Sequence, residues 1–210
     1  HPGLVVAADQ VGALAIKVLR YLDVPTGIAV ERPKTVVQPD PELYQTMQYA
    51  AEKIQQAADV ISQAKYPVIM AGNGVIRNGA SEALVEFAEK LNIAVATTFM
   101  AKGVIPSSHQ LSLGTIGLQA KDYVACGFEK SDVIICVGFD MVEFHPYIWH
   151  KYKDKKIIHI DMSPAEVDEH YILEVGVVGD IKSGLEEIAR IAQPGKGEFN
   201  DQLRQTIMHE

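Results

Sequence analysis

The sequence has few cysteines, no long apolar run and no excess of basic residues. Only Cys126 and Cys136 occur among 210 residues, too few for a disulfide scaffold, and we expect both to be reduced core thiols. No uninterrupted apolar stretch approaches the roughly 20 residues that cross a bilayer. The 19 Lys and Arg against 27 Asp and Glu give a net charge of −8. We therefore expect no membrane or nucleic-acid partner and a cytoplasmic location.

Motifs of several common enzyme classes are also missing. No Gly-x-Ser-x-Gly elbow provides a hydrolase nucleophile. Gly79 is followed by Ala80 instead of the Lys-Ser/Thr of a phosphate-binding loop. The histidines are not spaced as metal ligands, so we expect hydrogen-bonded or solvated roles for them and no metal site. The residues themselves therefore indicate no catalytic group.

The length and the proline distribution predict one large domain with appendages. Hydrophobic residues make up 48% and charged residues 22%, as in ordinary globular proteins. Residues 1–38 contain a helix pattern (10–22), a strand pattern (26–30) and the start of a proline-rich linker. We expect 39–193 to form the central domain and 194–210 to form a linker and a helix. The chain begins at His1 without Met, which suggests a processed protein, a cloning remnant or, the alternative that matters most for function, a piece of a longer protein.

From residue 66 onward, short apolar bursts alternate with helix patterns. The bursts are 67–71, 93–96, 132–137, 156–160 and 175–178, and the helix patterns are 80–91 and the segment after Asp180. Strands that are apolar on both faces are covered on both sides, and alternation with helices makes them parallel. The pattern predicts an α/β fold with a doubly wound, Rossmann-like parallel sheet of five or six strands.

The first strand is followed by Gly72-Asn73-Gly74, a glycine pair that lets the backbone turn tightly and approach a phosphate. The NAD fingerprint is incomplete, because Arg77 stands where a third glycine is needed and Thr98 ends the second strand where an acidic residue is needed. A plain tight turn or another nucleotide pose fits better. Asp161 ends a later strand and either accepts from a ribose hydroxyl or caps a helix.

Four segments, taken in order, resemble one known family. They are 97–106 (TTFMAKGVIP), 113–117 (LGTIG), 131–138 (SDVIICVG) and 158–167 (IHIDMSPAEV). The set resembles the central domain of thiamine-diphosphate-dependent enzymes of the acetolactate synthase (acetohydroxyacid synthase) and pyruvate oxidase family. The resemblance covers about residues 40 to 192, and the segment GIAVERP before it is similar to the end of the preceding pyrimidine-binding domain.

The resemblance implies three α/β domains, with thiamine diphosphate bound between the outer two. Family members activate this cofactor with a glutamate of the first domain and a Mg²⁺ site, marked by Gly-Asp-Gly, in the third. Here Gly179-Asp180 is followed by Ile181, and the glutamate region would precede residue 1. The chain is therefore expected to hold no catalytic residue and no metal ligand. Its expected partners are its own flanking domains and, in the parent, further copies in a dimer or tetramer.

In flavin-containing relatives the central domain binds FAD in an extended pose. By position, the resemblance would line that cleft with Gly72, Gly74, Thr98, Met100, Gly114, Gly117 and Asp161. Those relatives continue the fourth strand with Gly-x-Arg, whereas this chain has Gly138-Phe139-Asp140, so a donor fork suited to phosphate is lost. Residues 138–149 are more similar to the catabolic, FAD-independent acetolactate synthases. We therefore predict weak or absent FAD binding in a vestigial cleft.

The resemblance implies that this chain is the central, structural and assembly domain of an acetolactate synthase-like transferase. The parent would condense two pyruvates to acetolactate and carbon dioxide, in branched-chain amino acid biosynthesis, and this chain alone would be inactive. Two alternatives stay open: a stand-alone Rossmann-like nucleotide-binding module, and the central domain of a pyruvate oxidase or another thiamine-diphosphate decarboxylase. The fold by itself does not separate them.

Overall fold

The structure is a computed structural model that describes residues 41–117 and 125–194. Contacts divide the chain into two units, His1–Lys53 and Ile54–Glu210. The predicted helix at 10–22, the strand at 26–30 and the helix at 198–209 lie outside the described residues, as does the side chain of Cys126. Their assignments stay predictions.

The described residues alternate strands and helices. The strands are β1 (Pro67–Ala71), β2 (Ala94–Thr98), β3 (Ser112–Ile116), β4 (Val133–Val137), β5 (Lys156–Asp161) and β6 (Val175–Val178). The helices are α1 (Pro41–Gln63), α2 (Asn73–Arg77), α3 (Ser81–Leu91), α4 (Ala125–Lys130), α5 (Pro146–Trp149) and α6 (Ile181–Ile191), with a 3₁₀ turn at Phe99–Ala101. Among these helices, none combines the length and the apolarity that crossing a bilayer requires.

The strands form one open, six-stranded sheet in the order β3-β2-β1-β4-β5-β6, with every neighbouring pair parallel. The predicted α/β fold with a doubly wound parallel sheet is therefore confirmed, at the upper of the two strand numbers. The chain order reverses between β1 and β4, which both lie in the middle of the sheet. In sheets of this order, ligands bind beyond the carboxyl ends of the strands at the reversal.

Both faces of the sheet are covered, which explains why the strands are apolar throughout. Every residue of β1, β2 and β4 is buried. On one face α6 packs over β5 and β6, where Gly184 lies against Ile160, and α3 packs against α6. On the other face Met70 and Cys136 pack with an aromatic cluster that includes Phe139, Trp149 and Tyr171. Burial on both sides is the physical basis of a parallel sheet.

The elements that were not predicted from the sequence include the strand β3 and the short helices α2, α4 and α5. Strand β3 contains Gly114 with a φ of +98°, next to a register shift between Val95 and Ala96 on the neighbouring strand. A glycine bulge at the sheet edge breaks the apolar run that identifies buried strands. The short helix α2 occupies the segment interpreted as a turn. The predicted α3 and α6 are confirmed, and the Asp180 carboxylate caps α6 by accepting from the N–H of Ser183 at 2.7 Å.

Candidate functional site

A cleft of about 600 Å³ lies at the carboxyl ends of β1, β4 and β5. The loops after β1 and β4 diverge there because their following segments connect to opposite halves of the sheet. The loop after β5 closes the far side with Asp161 and Ser163. The cleft therefore occupies the position at which sheets of this order bind ligands.

Three glycines let the loops after β1 and β4 touch at the base of the cleft. The N–H of Gly72 donates to the Val137 carbonyl at 2.9 Å, and that of Gly74 donates to the Gly138 carbonyl at 2.8 Å. A Cβ on Gly72 would lie 2.4 Å from the Gly138 oxygen, and one on Gly74 would lie 2.6 Å from the Gly138 Cα. Side chains cannot be accommodated at such distances. Both N–H groups are hydrogen-bonded to the end of β4 or to the residue that follows it, so neither is free to bind a phosphate.

The carboxylate of Glu143 lies over this glycine turn. It accepts from the N–H of Asn73 at 3.1 Å to each oxygen, from the N–H of Asp140 at 3.4 Å, and from the hydroxyl of Thr98. Thr98 is fully buried and Glu143 is half-buried. The sequence analysis did not identify this role of Glu143. No spacing could have indicated it, since Asn73 and Glu143 are 70 residues apart.

The floor of the cleft carries a buried polar group built on neighbouring strands. His159 Nδ1 and the Tyr171 hydroxyl are 2.9 Å apart, and Tyr171 is also close enough to the Cys136 thiol to affect its pKa. Burial lowers the pKa of His159, against an opposing effect of the nearby Asp161 carboxylate. Burial raises the pKa of Cys136 to about 12 and raises that of Tyr171 well above its usual value. At neutral pH all three side chains are therefore uncharged.

Cys136 is a free, buried thiol, which confirms its predicted place in the core. The hydrogen-bonded role expected for the histidines holds for His150 as well as His159, since His150 Nδ1 lies 2.7 Å from the His170 carbonyl oxygen. Tyr171 was not singled out from the sequence. It lies in an irregular segment with no periodic signal, and only the fold brings it under the cleft.

Three of the residues placed by resemblance line the cleft: Gly74, Met100 and Asp161. Met100 is more than half exposed, and Asp161 sits where β5 ends. One Asp161 oxygen accepts from the backbone N–H groups of Met162 at 2.5 Å and Ser163 at 3.4 Å. No helix follows, because 162–170 is irregular, so the helix-cap alternative for Asp161 is wrong.

The other four lie outside the cleft lining. Gly72 and Thr98 are beneath it and contact the Glu143 carboxylate or its loop. Gly114 lies within the edge strand β3, and Gly117 follows it with a φ of +88° and packs against the Phe144 ring. Whether any of the seven residues binds a ligand stays a prediction.

In the segment 138–140, which stands where the resemblance would place Gly-x-Arg, the side chains of Phe139 and Asp140 differ in exposure. Phe139 is buried, with its ring centroid 6.1 Å from that of Trp149 and 5.8 Å from that of Tyr171. Asp140 is exposed and lines the cleft. The loop therefore offers the cleft an acidic side chain at the position where the resemblance to the flavin-containing enzymes would place an arginine.

Comparison with known proteins connects this sheet and its glycine loops to a family. The model of the thiamine pyrophosphate enzyme central domain matches residues 54–188. The chain belongs to this family. Its match includes β1 to β6 and the whole cleft, so these features are parts of a thiamine pyrophosphate enzyme central domain.

Similar proteins include two acetolactate synthase large subunits, one of them named as probable, and a glyoxylate carboligase. The chain is 39% identical over 142 residues to the "Probable acetolactate synthase large subunit" of Methanococcus aeolicus, covering 66% of this chain and 23% of that protein. It is 36% identical over 159 residues to the acetolactate synthase large subunit of Corynebacterium glutamicum, covering 72% and 24%. It is 34% identical over 161 residues to the glyoxylate carboligase of Escherichia coli O157:H7, covering 73% and 27%. The chain thus spans about a quarter of the length of these relatives.

Proposed function

We propose that this chain is the central domain of an acetolactate synthase-like enzyme. The complete enzyme would join two pyruvates with release of carbon dioxide. The observation that carries the proposal is the family match over 54–188 together with 34–39% identity to acetolactate synthases. When bound, thiamine diphosphate supplies the electron sink for the carbanion that such a ligation requires.

The chain's own part in that enzyme is structural. Within the described ranges, no group of at least three His, Cys, Asp or Glu side chains is arranged to hold a metal ion. The polar floor of the cleft is buried and uncharged, and its donors are already paired with other groups. These residues do not fit a metal–diphosphate group, so we assign the chain no chemical step. Its sheet, covered on both faces, supports a role as the rigid body between the two outer domains.

A second candidate is glyoxylate carboligation. It is favoured by one observation, the 34% identity over 161 residues to a glyoxylate carboligase. Both candidates place the chain in the same position within a thiamine-diphosphate enzyme, and they differ in the substrate that the enzyme would select.

The experiment is a substrate comparison on the complete gene product that contains this chain. With thiamine diphosphate and Mg²⁺, pyruvate should give acetolactate, detected by mass spectrometry, and glyoxylate should give little ligation product. A preference for glyoxylate would transfer the assignment to the second candidate, and inactivity with both substrates would refute the proposal.

The same assay on the 210-residue chain alone should give no acetolactate above a protein-free control. The reason is that the resemblance places the residues that activate thiamine diphosphate in the domains that flank this one. Steady turnover by the purified chain would show that its role is not merely structural.

The finer assignments are part of the same proposal. They are a Mg²⁺ requirement, a place in branched-chain amino acid biosynthesis, a cytoplasmic location, and assembly of the parent as a dimer or tetramer through its flanking domains. Metal dependence and oligomeric state are measured on the complete gene product by chelation and by analytical ultracentrifugation.

A further inference from the structure

The FAD that the resemblance implies for some relatives can be tested against the polar groups of the cleft. A dinucleotide places its diphosphate at the turn after the first strand, where backbone N–H groups and a hydroxyl bind the negative oxygens. In this chain those donors are the N–H groups of Asn73 and Asp140 and the hydroxyl of Thr98. All three donate to one acceptor, the carboxylate of Glu143.

Glu143 is packed as closely as a bound anion would be. A Cβ on Gly72 would lie 2.9 Å from Glu143 Oε1, so the carboxylate oxygen rests directly on the glycine turn. Gly72 precedes α2 and has no side chain that could cap this helix. The Glu143 carboxylate acts as the cap instead, by accepting from the N–H of Asn73, the first residue of α2. A carboxylate that accepts from backbone N–H groups and a hydroxyl has the same donor set as a phosphate oxygen pair.

Other acidic side chains of the cleft add to the negative charge of the Glu143 carboxylate. The described residues that line it include four acidic side chains, Asp140, Glu143, Asp161 and Glu166, and one arginine, Arg77. Like charges brought together in a partly desolvated site are strongly unfavourable. A diphosphate would therefore meet an occupied donor set and an excess of negative charge.

We propose that Glu143 is an internal substitute for a bound phosphate and that it excludes phosphate-bearing nucleotides, FAD among them, from this cleft. Space does not cause the exclusion, because the cleft has a volume of about 600 Å³. The exclusion follows from the side chain and the backbone donors it occupies, and it holds whichever reaction the parent enzyme catalyses.

The test is anion binding to the complete 210-residue chain and to two variants. Glu143→Ala removes the carboxylate from the donors. Glu166→Gln is the matched control, because it removes one negative charge from the same cleft at an exposed position away from those donors. The probes are inorganic pyrophosphate, measured by titration calorimetry, and FAD, measured by its retention with the protein on gel filtration.

We expect the wild-type chain and Glu166→Gln to retain no FAD, and Glu143→Ala to bind pyrophosphate at least about tenfold more tightly than either. Retention of stoichiometric FAD by the wild-type chain would overturn the proposal. So would an equal gain in pyrophosphate affinity for Glu166→Gln and Glu143→Ala, since that result would assign the effect to net charge and not to the occupied donors.

A second measurement covers the case in which Glu143→Ala is poorly folded, because the donors that Glu143 satisfies, of which the Thr98 hydroxyl is buried, then lose their acceptor. Acetate, compared with chloride at equal ionic strength, should raise the Tm of Glu143→Ala by at least about 2 °C and leave that of the wild-type chain unchanged. If acetate and chloride act alike on the variant, the donors do not form an anion position and the proposal fails.

Discussion

Replacing Gly138 with alanine tests the contact on which the cleft is built. Gly138 has a φ of +57°, and a Cβ there would lie 2.4 Å from the Val75 nitrogen and 2.7 Å from the Gly74 carbonyl carbon. A left-handed backbone costs a non-glycine residue roughly 1–2 kcal/mol. Because both neighbours are backbone atoms, they cannot rotate away, and separating the two loops costs about another 1–3 kcal/mol.

We therefore expect Gly138→Ala to lower the free energy of unfolding by about 2–5 kcal/mol, a large part of the roughly 5–15 kcal/mol that stabilises a typical domain. The loss includes the hydrogen bond from the Gly74 N–H to the Gly138 carbonyl, which measures 2.8 Å. Urea denaturation of the 210-residue chain, followed by circular dichroism, measures the change.

Gly79→Ala is the matched control for this measurement. Gly79 has nearly the same φ, +61°, but a Cβ there would meet no atom within 4 Å. The control variant therefore carries the left-handed backbone cost without the clash, about 1–2 kcal/mol. The entropy that alanine removes from the unfolded chain is common to both variants. If the two variants are equally stable within about 0.5 kcal/mol, the close approach of the β1 and β4 loops is not what requires glycine at Gly138.

Two further predictions concern the floor of the cleft. Burial raises the pKa of Cys136 to about 12, so this thiol should resist a thiol reagent at pH 8. In a Cys126→Ser background, we expect it to react only once urea unfolds the chain. Equal reaction rates in the folded and unfolded states would contradict its burial. Burial lowers the pKa of His159 from its ordinary 6.5, so at a pH below 6.5 the unfolded chain binds more protons than the folded chain. The contribution of His159 to the free energy of unfolding is therefore complete above pH 6.5 and falls as the pH drops below that value. His159→Gln should reduce this dependence in urea titrations between pH 5 and 7, and unchanged slopes would refute the assignment.

The elements predicted best from sequence are those whose signal is local. The strands β1 and β6 have the predicted bounds, and α3 begins one residue after its predicted start. Runs that are buried on both faces carry a continuous apolar signal, and a helix of three turns repeats its pattern several times. Strand β3, with a positive φ at Gly114, lacks that signal because a bulge at the sheet edge interrupts it.

The candidate site was predictable only in part. Gly74, Met100 and Asp161 were placed at the cleft by resemblance, and the glycine pair after β1 was recognised as a site of close approach. The sequence analysis expected either a phosphate or no ligand at this glycine pair. In the structure it is the Gly138 loop and the Glu143 carboxylate.

The sequence by itself determined the α/β class, the parallel sheet and the family, because apolar periodicity, turn residues and ordered motifs act over short stretches of chain. Only the tertiary structure decided that Glu143 occupies the donors at the turn and that the Tyr171 hydroxyl lies against His159. These contacts join loops that follow different strands, and the Glu143 contact spans 70 residues. Their geometry depends on how neighbouring strands align in the sheet, which no local pattern of residues specifies.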